Sequence, residues 1–240
     1  MRCIVSGVTN EPVWERPEPA ERRALSPLSR ERIVHAALTL ADAEGLEAVS
    51  LRKVAAALDA GPMRLYRYAG TKEELLELMA DAVYAEIPAP TGSTWRDIFR
   101  SIAHSRRQAA LRHEWFADLL GGRPQLGPAA LASLEASLAA LRATRAFPDA
   151  TAVMNALEAL SCFLVGAVRK EITALRDERA TGLDEHGWRV STGPYLTRKL
   201  ATGNYPALAG TIREAGHLDA AAAFDLGLDY LLDGIEANLS

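Results

Sequence analysis

Apolar residues recur every three or four positions along most of the chain, and glycine, proline or a capping side chain marks each place where the rhythm stops. Ile33, Ala37, Leu40 and Ala41 share one face behind Ser29, whose hydroxyl can cap a first helix, and Gly45 supplies its stop. Ser50 can cap a second helix with Leu51, Val54, Ala55 and Leu58 as its apolar stripe. Asp59, Ala60 and Gly61 make a tight connection, after which Pro62 suits the first turn of a short third helix ending near Tyr68. Thr71 and Glu74 have the spacing of a capping box ahead of Leu75, Leu76 and Met79. Pro88 and Pro90 then interrupt the pattern and mark a junction.

Beyond that junction the same rhythm predicts helices near 94–118, 128–144, 149–177, 204–214 and 219–237. The stretch around 178–203 holds Gly182, Gly187, Gly193 and Pro194 with weak periodicity, and reads as a long loop with at most a short helix. Residues 1–27 contain Pro12, Pro17, Pro19 and Pro27 and little periodicity, so they read as a flexible N-terminal arm. Arg16, Arg22 and Arg23 in this arm can reach a DNA groove or backbone, although a loosely docked tail explains them more simply. The expected domains are therefore the arm at 1–27, a compact helical unit at 28–87 and a larger helical domain at 88–240.

Composition supports an all-α fold. Hydrophobic residues make up 49% of the 240, enough for a buried core, while aromatic residues are only 6% and alanine and leucine recur throughout. Charges break the apolar runs before the roughly 20 residues a membrane span needs, and no signal-peptide pattern follows Met1, so a soluble cytoplasmic protein is expected. Cys3 and Cys162 lack metal-ligand spacing, and Cys162 reads as a small core residue. The formal net charge is -4, which alone argues against a nucleic-acid partner. Its distribution changes that picture: residues 22–72 carry nine basic against five acidic residues, a local excess of +4.

That positive segment coincides with two short helices joined by a compact turn, an arrangement that can place the second helix in a DNA major groove. Arg64 and Arg67 are the base-reading candidates because a guanidinium can span the two acceptors of guanine, and Pro62 and Met63 can make apolar contacts there. Ser50, Arg52, Tyr66, Tyr68 and Lys72 are candidates for phosphate contact, with Lys53 a further one. The alternative is that Tyr66 or Tyr68 belongs to the core between helices and that the arginines only solvate a helix.

Residues 28–83, LSRERIVHAALTLADAEGLEAVSLRKVAAALDAGPMRLYRYAGTKEELLELMADAV, strongly resemble the tetracycline-repressor (TetR) family, with the LYRY-to-KEELL arrangement the most specific part. The resemblance continues more weakly through GSTWRDIF at 92–99 and FDLGLDYLLDGIEA at 224–237. It implies that Arg52 and Lys72 hold phosphates, that Pro62 to Arg64 and Arg67 face bases, and that Tyr66 and Tyr68 contact the backbone. It also implies an N-terminal three-helix helix-turn-helix domain joined to a larger helical ligand-binding and dimerisation domain. A homodimer on a partially palindromic duplex operator, repression, and release by a small-molecule effector follow from the same resemblance. The dimer helices would come from 149–177 and 219–237, with Phe163, Val165, Ala167, Phe224, Leu228, Leu231, Leu232 and Ile235 as candidates.

Three departures limit that transfer. Asp59 stands where the family commonly has glycine, Arg64 where it often has a small polar residue, and Leu120 where the founding repressor has its metal-ligating histidine. Tetracycline–magnesium recognition is therefore not expected, nor is any metal or other cofactor. Candidates for an effector pocket are Trp95, Phe99, Ile102, Trp115, Phe116 and Leu119, together with Met154, Asn155 and Glu158, although ordinary core packing explains each apolar one more economically. No nucleophile elbow, zinc-protease motif or glycine-rich nucleotide loop is visible, so an enzyme is not expected. The other reading that stays open is a helical ligand sensor or adaptor without DNA binding.

Overall fold

The computed structural model describes residues 12–19, 28–122 and 124–239, and every regular element among them is a helix. The chain divides into two compact units, Met1–Phe147 and Pro148–Ser240. The boundary read from Pro88 and Pro90 thus falls inside the first of them.

In the first unit, α1 (Arg30–Glu44) begins where the Ser29 hydroxyl accepts the Arg32 N–H and ends at Gly45, whose φ of 83° few other residues adopt. A single 3-10 turn at Leu46–Ala48 leads to α2 (Leu51–Ala57), capped by Ser50, then α3 (Pro62–Leu65) and α4 (Lys72–Ala85). The Thr71 hydroxyl caps α4, but the expected reciprocal box does not close. Glu74 accepts from the Gly70 N–H at 2.7 Å instead and pairs with Arg16. A complete box occurs at Thr94 and Asp97, opening α5 (Trp95–Arg112).

The single helix expected over 94–118 is broken. It stops at His113 and resumes as the short α6 (Phe116–Leu119), because His113 and Trp115 turn toward carboxylates on other helices. α7 (Pro128–Ala143) completes the unit. α4 is its central beam, packed against α1, α6 and α7. Ile33, Val54, Leu65, Leu75, Met79, Phe99 and Leu141 form the buried interior, whereas Leu40, Leu46 and Leu58 are only half-buried.

The second unit pairs two long helices, α8 (Ala150–Thr181) and α11 (Ala220–Ala237), through Leu160, Leu164, Phe224, Leu228 and Leu232. The contact is close at Gly227, where an added Cβ would lie 2.9 Å from the Phe163 ring. The loop expected over 178–203 is instead mostly helix. α8 continues to Thr181, and α9 (Glu185–Leu200) follows from a cap at Asp184, which takes the Gly187 N–H at 2.7 Å. α9 contains Pro194 and buries none of its residues, so no apolar stripe announced it. α10 (Pro206–Glu214) packs on α9.

Two other expectations are corrected in this unit. Cys162 is exposed rather than in the core. α8 is also long and apolar enough, by length and composition, to cross a membrane, because Glu158 alone interrupts residues 150–168.

Candidate nucleic-acid interface

The turn between α2 and α3 sets how the candidate reader is presented. α2 ends with the Ala60 N–H on the Ala55 carbonyl at 2.9 Å and the Asp59 N–H on the Ala56 carbonyl at 3.1 Å, a Schellman closure that needs a left-handed residue. Asp59 fills that position at φ 49°, where the family resemblance leads one to expect glycine. Gly61 and Pro62 then start α3. After Leu65 the chain continues through tighter turns, with the Tyr68 N–H on the Leu65 carbonyl at 2.8 Å. Leu65 is the buried anchor, and Pro62, Met63, Tyr66 and Arg67 face solvent. Met63 is 77% exposed. Arg64 is half-buried and has an intrachain interaction of its own.

Around this ridge, Ser50 uses its hydroxyl oxygen to accept the Lys53 N–H and keeps its O–H free to donate. Arg52 is exposed at the start of α2, and Lys53 pairs with Glu44 at 3.1 Å. Lys72, at the first position of α4, rests its ammonium on the Leu46 carbonyl at 3.4 Å. Tyr66 is half out in solvent at 49%. Tyr68 is a correction. It is 3% exposed, and its hydroxyl donates to the Leu28 carbonyl at 2.8 Å, so it fastens the entry to α1 and cannot present that group to a phosphate.

The arm segment at 12–19 is docked rather than free: Val13 is buried. Arg16 forms a two-pronged pair with Glu74, one prong being 3.0 Å, and its carbonyl accepts from Arg30 at 2.8 Å. The Arg16 pair, with the Gly70 N–H, holds the Glu74 carboxyl below its ordinary range. Arg22 and Arg23 lie outside the described residues.

A second polar cluster fastens the head to the helices behind it. His113 is buried, with Nδ1 2.8 Å from Asp42 of α1 and Nε2 3.2 Å from Glu86 at the end of α4. The Trp115 indole N–H donates to the same Asp42 oxygen at 2.7 Å, and Arg112 donates to Glu86 at 2.6 Å. Ionised carboxylates only accept, so both contacts are satisfied together only when both ring nitrogens carry hydrogen. Burial opposes ionisation of Glu86, but the Arg112 and His113 hydrogen bonds outweigh it and leave its carboxyl below the ordinary value. Asp81, in the middle of α4, accepts the Ala130 N–H at 2.9 Å and so caps α7 across the helix junction. Of these residues the sequence pattern singled out Trp115 alone, and for another role, because the partners lie 26 to 73 positions away.

The effector candidates divide between the two units. Phe99, Ile102, Trp115 and Phe116 are buried core residues of the first, with Trp95 and Leu119 half-buried. Trp95 and Phe99 meet Phe147 in an aromatic cluster, and Phe116 meets Tyr84 edge-on at 5.5 Å. Met154, Asn155 and Glu158 all stand exposed on α8 in the second unit.

Comparison with known proteins gives this geometry a family. Residues 33–79 match the model described as bacterial regulatory proteins of the tetR family, and residues 87–239 match the tetracyclin repressor-like C-terminal domain. The chain is similar to the HTH-type transcriptional repressor DrrR1 of Streptomyces coeruleorubidus, at 37% identity over 95% of this chain and 84% of that protein. It is 29% identical to the class E tetracycline repressor protein of Escherichia coli, over 88% of this chain and 92% of the relative. Among solved structures it resembles the TetR family protein ActR of Streptomyces coelicolor in complex with actinorhodin. There the TM-score is 0.73 and the identity 28%, over 90% of this chain and all of that one. With matches to both family models spanning most of its length, the chain belongs to the TetR family: it is a transcriptional regulator of the repressor type, with a DNA-binding helix-turn-helix ahead of a ligand-binding helical domain.

Proposed function

We propose that this regulator acts in the cytoplasm as a homodimer on a partially palindromic duplex, reading bases with Pro62, Met63, Arg64 and Arg67. Ser50, Arg52, Tyr66 and Lys72 hold the flanking phosphates. The observation that carries this reading is the solvent-facing ridge of α3, where an exposed Met63 stands beside two guanidinium groups on a turn that is otherwise well anchored. Two copies related by a two-fold axis would set two such ridges one DNA turn, or a small multiple of it, apart. Bound there, the dimer excludes polymerase. A small-molecule effector relieves repression if it binds more tightly to a dimer geometry in which the two heads no longer match the operator. ActR, crystallised with actinorhodin, supports an organic effector here too, with Trp95, Phe99, Ile102, Trp115, Phe116 and Leu119 as its candidate contacts in the first unit.

The test is selection of duplexes from a random pool by the purified protein. An enriched inverted repeat is expected. Arg64→Ala or Arg67→Ala then changes the preferred bases at a cost of about 1–3 kcal/mol per half-site, whereas Arg52→Ala and Lys72→Ala weaken all duplexes alike and each lower the salt slope by about one per half-site. No enrichment by folded dimer would remove the DNA reading and favour a sensor without DNA binding.

A further inference from the structure

Resting on the reading of this chain as a ligand-responsive regulator, we propose that Arg106, with the Tyr84 hydroxyl beside it, is the docking point for the acidic group of an aromatic effector. The position of Arg106 on α5 is what demands an account. At 100° per residue, Phe99, Ile102, Ala103, Ala109 and Ala110 form the buried stripe of this helix, and Arg106 falls at its centre. The solvent face is elsewhere, at Asp97, His104 and Gln108, all of them exposed. Arg106 therefore does not sit on the outer surface of its helix. It stands on the side of the helix that carries the core residues, where it is half-buried.

Among the described residues no carboxylate answers this cation: neither an ion pair nor a hydrogen bond joins it to any of them. Its electrostatic neighbour is Tyr84 on α4. Burial pushes the guanidinium below its ordinary value and pushes the Tyr84 hydroxyl above its own. The Tyr84 hydroxyl likewise has no hydrogen-bond partner among the described residues. Two half-buried donors set among core side chains, with no acceptor for either among the described residues, are an arrangement that an apolar core gains nothing from by itself. A carboxylate can take the guanidinium fork and the phenol hydroxyl together. Phe99 lies two turns along the same stripe and Phe116 packs edge-on against Tyr84, so the body carrying that carboxylate meets aromatic faces.

The experiment uses three acids of increasing size, benzoate, 1-naphthoate and 9-anthracenecarboxylate, each beside its neutral carboxamide. Binding to the full-length protein is followed by calorimetry and by thermal shift. At least one acid is expected to bind at least about tenfold more tightly than its amide, and Arg106→Met or Arg106→Gln is expected to abolish that preference. The ligand-free Arg106→Met protein is expected to melt at the same temperature as the wild type or higher, since an apolar side chain replaces a half-buried cation that has no acid partner among the described residues. Tyr84→Phe should weaken the acid by a smaller factor and leave the amide unchanged. The proposal is overturned if no acid binds the folded wild type at millimolar concentration, if amides bind as well as acids, or if both Arg106 variants lose several degrees of melting temperature without ligand. Release of the selected duplex by a neutral compound, with Arg106→Met responding as the wild type does, would remove the anion site and leave ligand-responsive repression standing.

Discussion

Asp59 occupies the one backbone position in the reading head where its side chain is a liability. A left-handed residue is required to close the end of α2, and an L-residue with a Cβ is strained there, although aspartate tolerates it better than most. Asp59→Gly should raise stability by up to about 1 kcal/mol, the relief of strain being partly offset by the greater freedom of the unfolded chain. Urea unfolding measures this, and a loss of stability would show that the aspartate side chain makes a compensating bond. Tyr68 poses the converse case. Tyr68→Phe should cost about 1–2 kcal/mol, because it removes a buried hydrogen bond to the Leu28 carbonyl, while the salt dependence of DNA binding stays unchanged. A phosphate-contacting tyrosine would lower that dependence instead.

At the scale of elements, α4 is held at three places by groups far away in sequence: Glu74 by Arg16, Asp81 by the start of α7, and Glu86 by Arg112 and His113. The first clip has a definite pH signature. The Glu74 carboxyl is held below its ordinary value of 4.5 in the folded protein, so its contribution is fully present above about that pH and is lost as the pH falls through the lower folded value. Wild type should therefore lose stability on acidification through this window more steeply than Arg16→Ala, as followed by circular dichroism. The third fastening, at His113, links α1 to α4. His113→Gln should lower the melting temperature and loosen the attachment of the head, detectable as faster amide hydrogen exchange at the C-terminal ends of α1 and α4. Unchanged exchange there would mean that packing of Trp115 and Phe116 alone holds the head.

For the whole molecule, exposed apolar side chains concentrate in the second unit. Leu226 and Tyr230 project from α11 on the side away from the Phe224, Leu228 and Leu232 stripe, and Trp188, Val190 and Tyr195 stand out from α9. The homodimer proposed above gives these surfaces a partner. Sedimentation velocity should find a dimer at micromolar concentration. The pair Leu226→Glu and Tyr230→Glu should yield monomer that keeps its helix content and binds the selected palindrome at least about a hundredfold more weakly, because one head alone reads half a site. A dimer that survives both substitutions would place the interface away from α11.

Local chemistry written into neighbouring residues determined much of this protein. Ser29, Ser50 and Thr71 fall three residues before the N–H groups they cap, and Pro62 and Asp59 shape the turn they occupy, so α1 to α4 and the outward face of α3 were readable from the sequence. The candidate readers Met63 and Arg67 were legible for the same reason, since exposure on a short amphipathic helix follows from its period. The break at His113, the burial of Tyr68, the docking of Val13 and Arg16 and the helix at Glu185–Leu200 were decided only in three dimensions. Each depends on a partner distant in sequence, or on a helix that buries none of its residues, and neither leaves a local period to read. Arg106 combines the two: its place on the buried stripe is sequence arithmetic, but only the tertiary structure shows that no acid among the described residues comes to meet it.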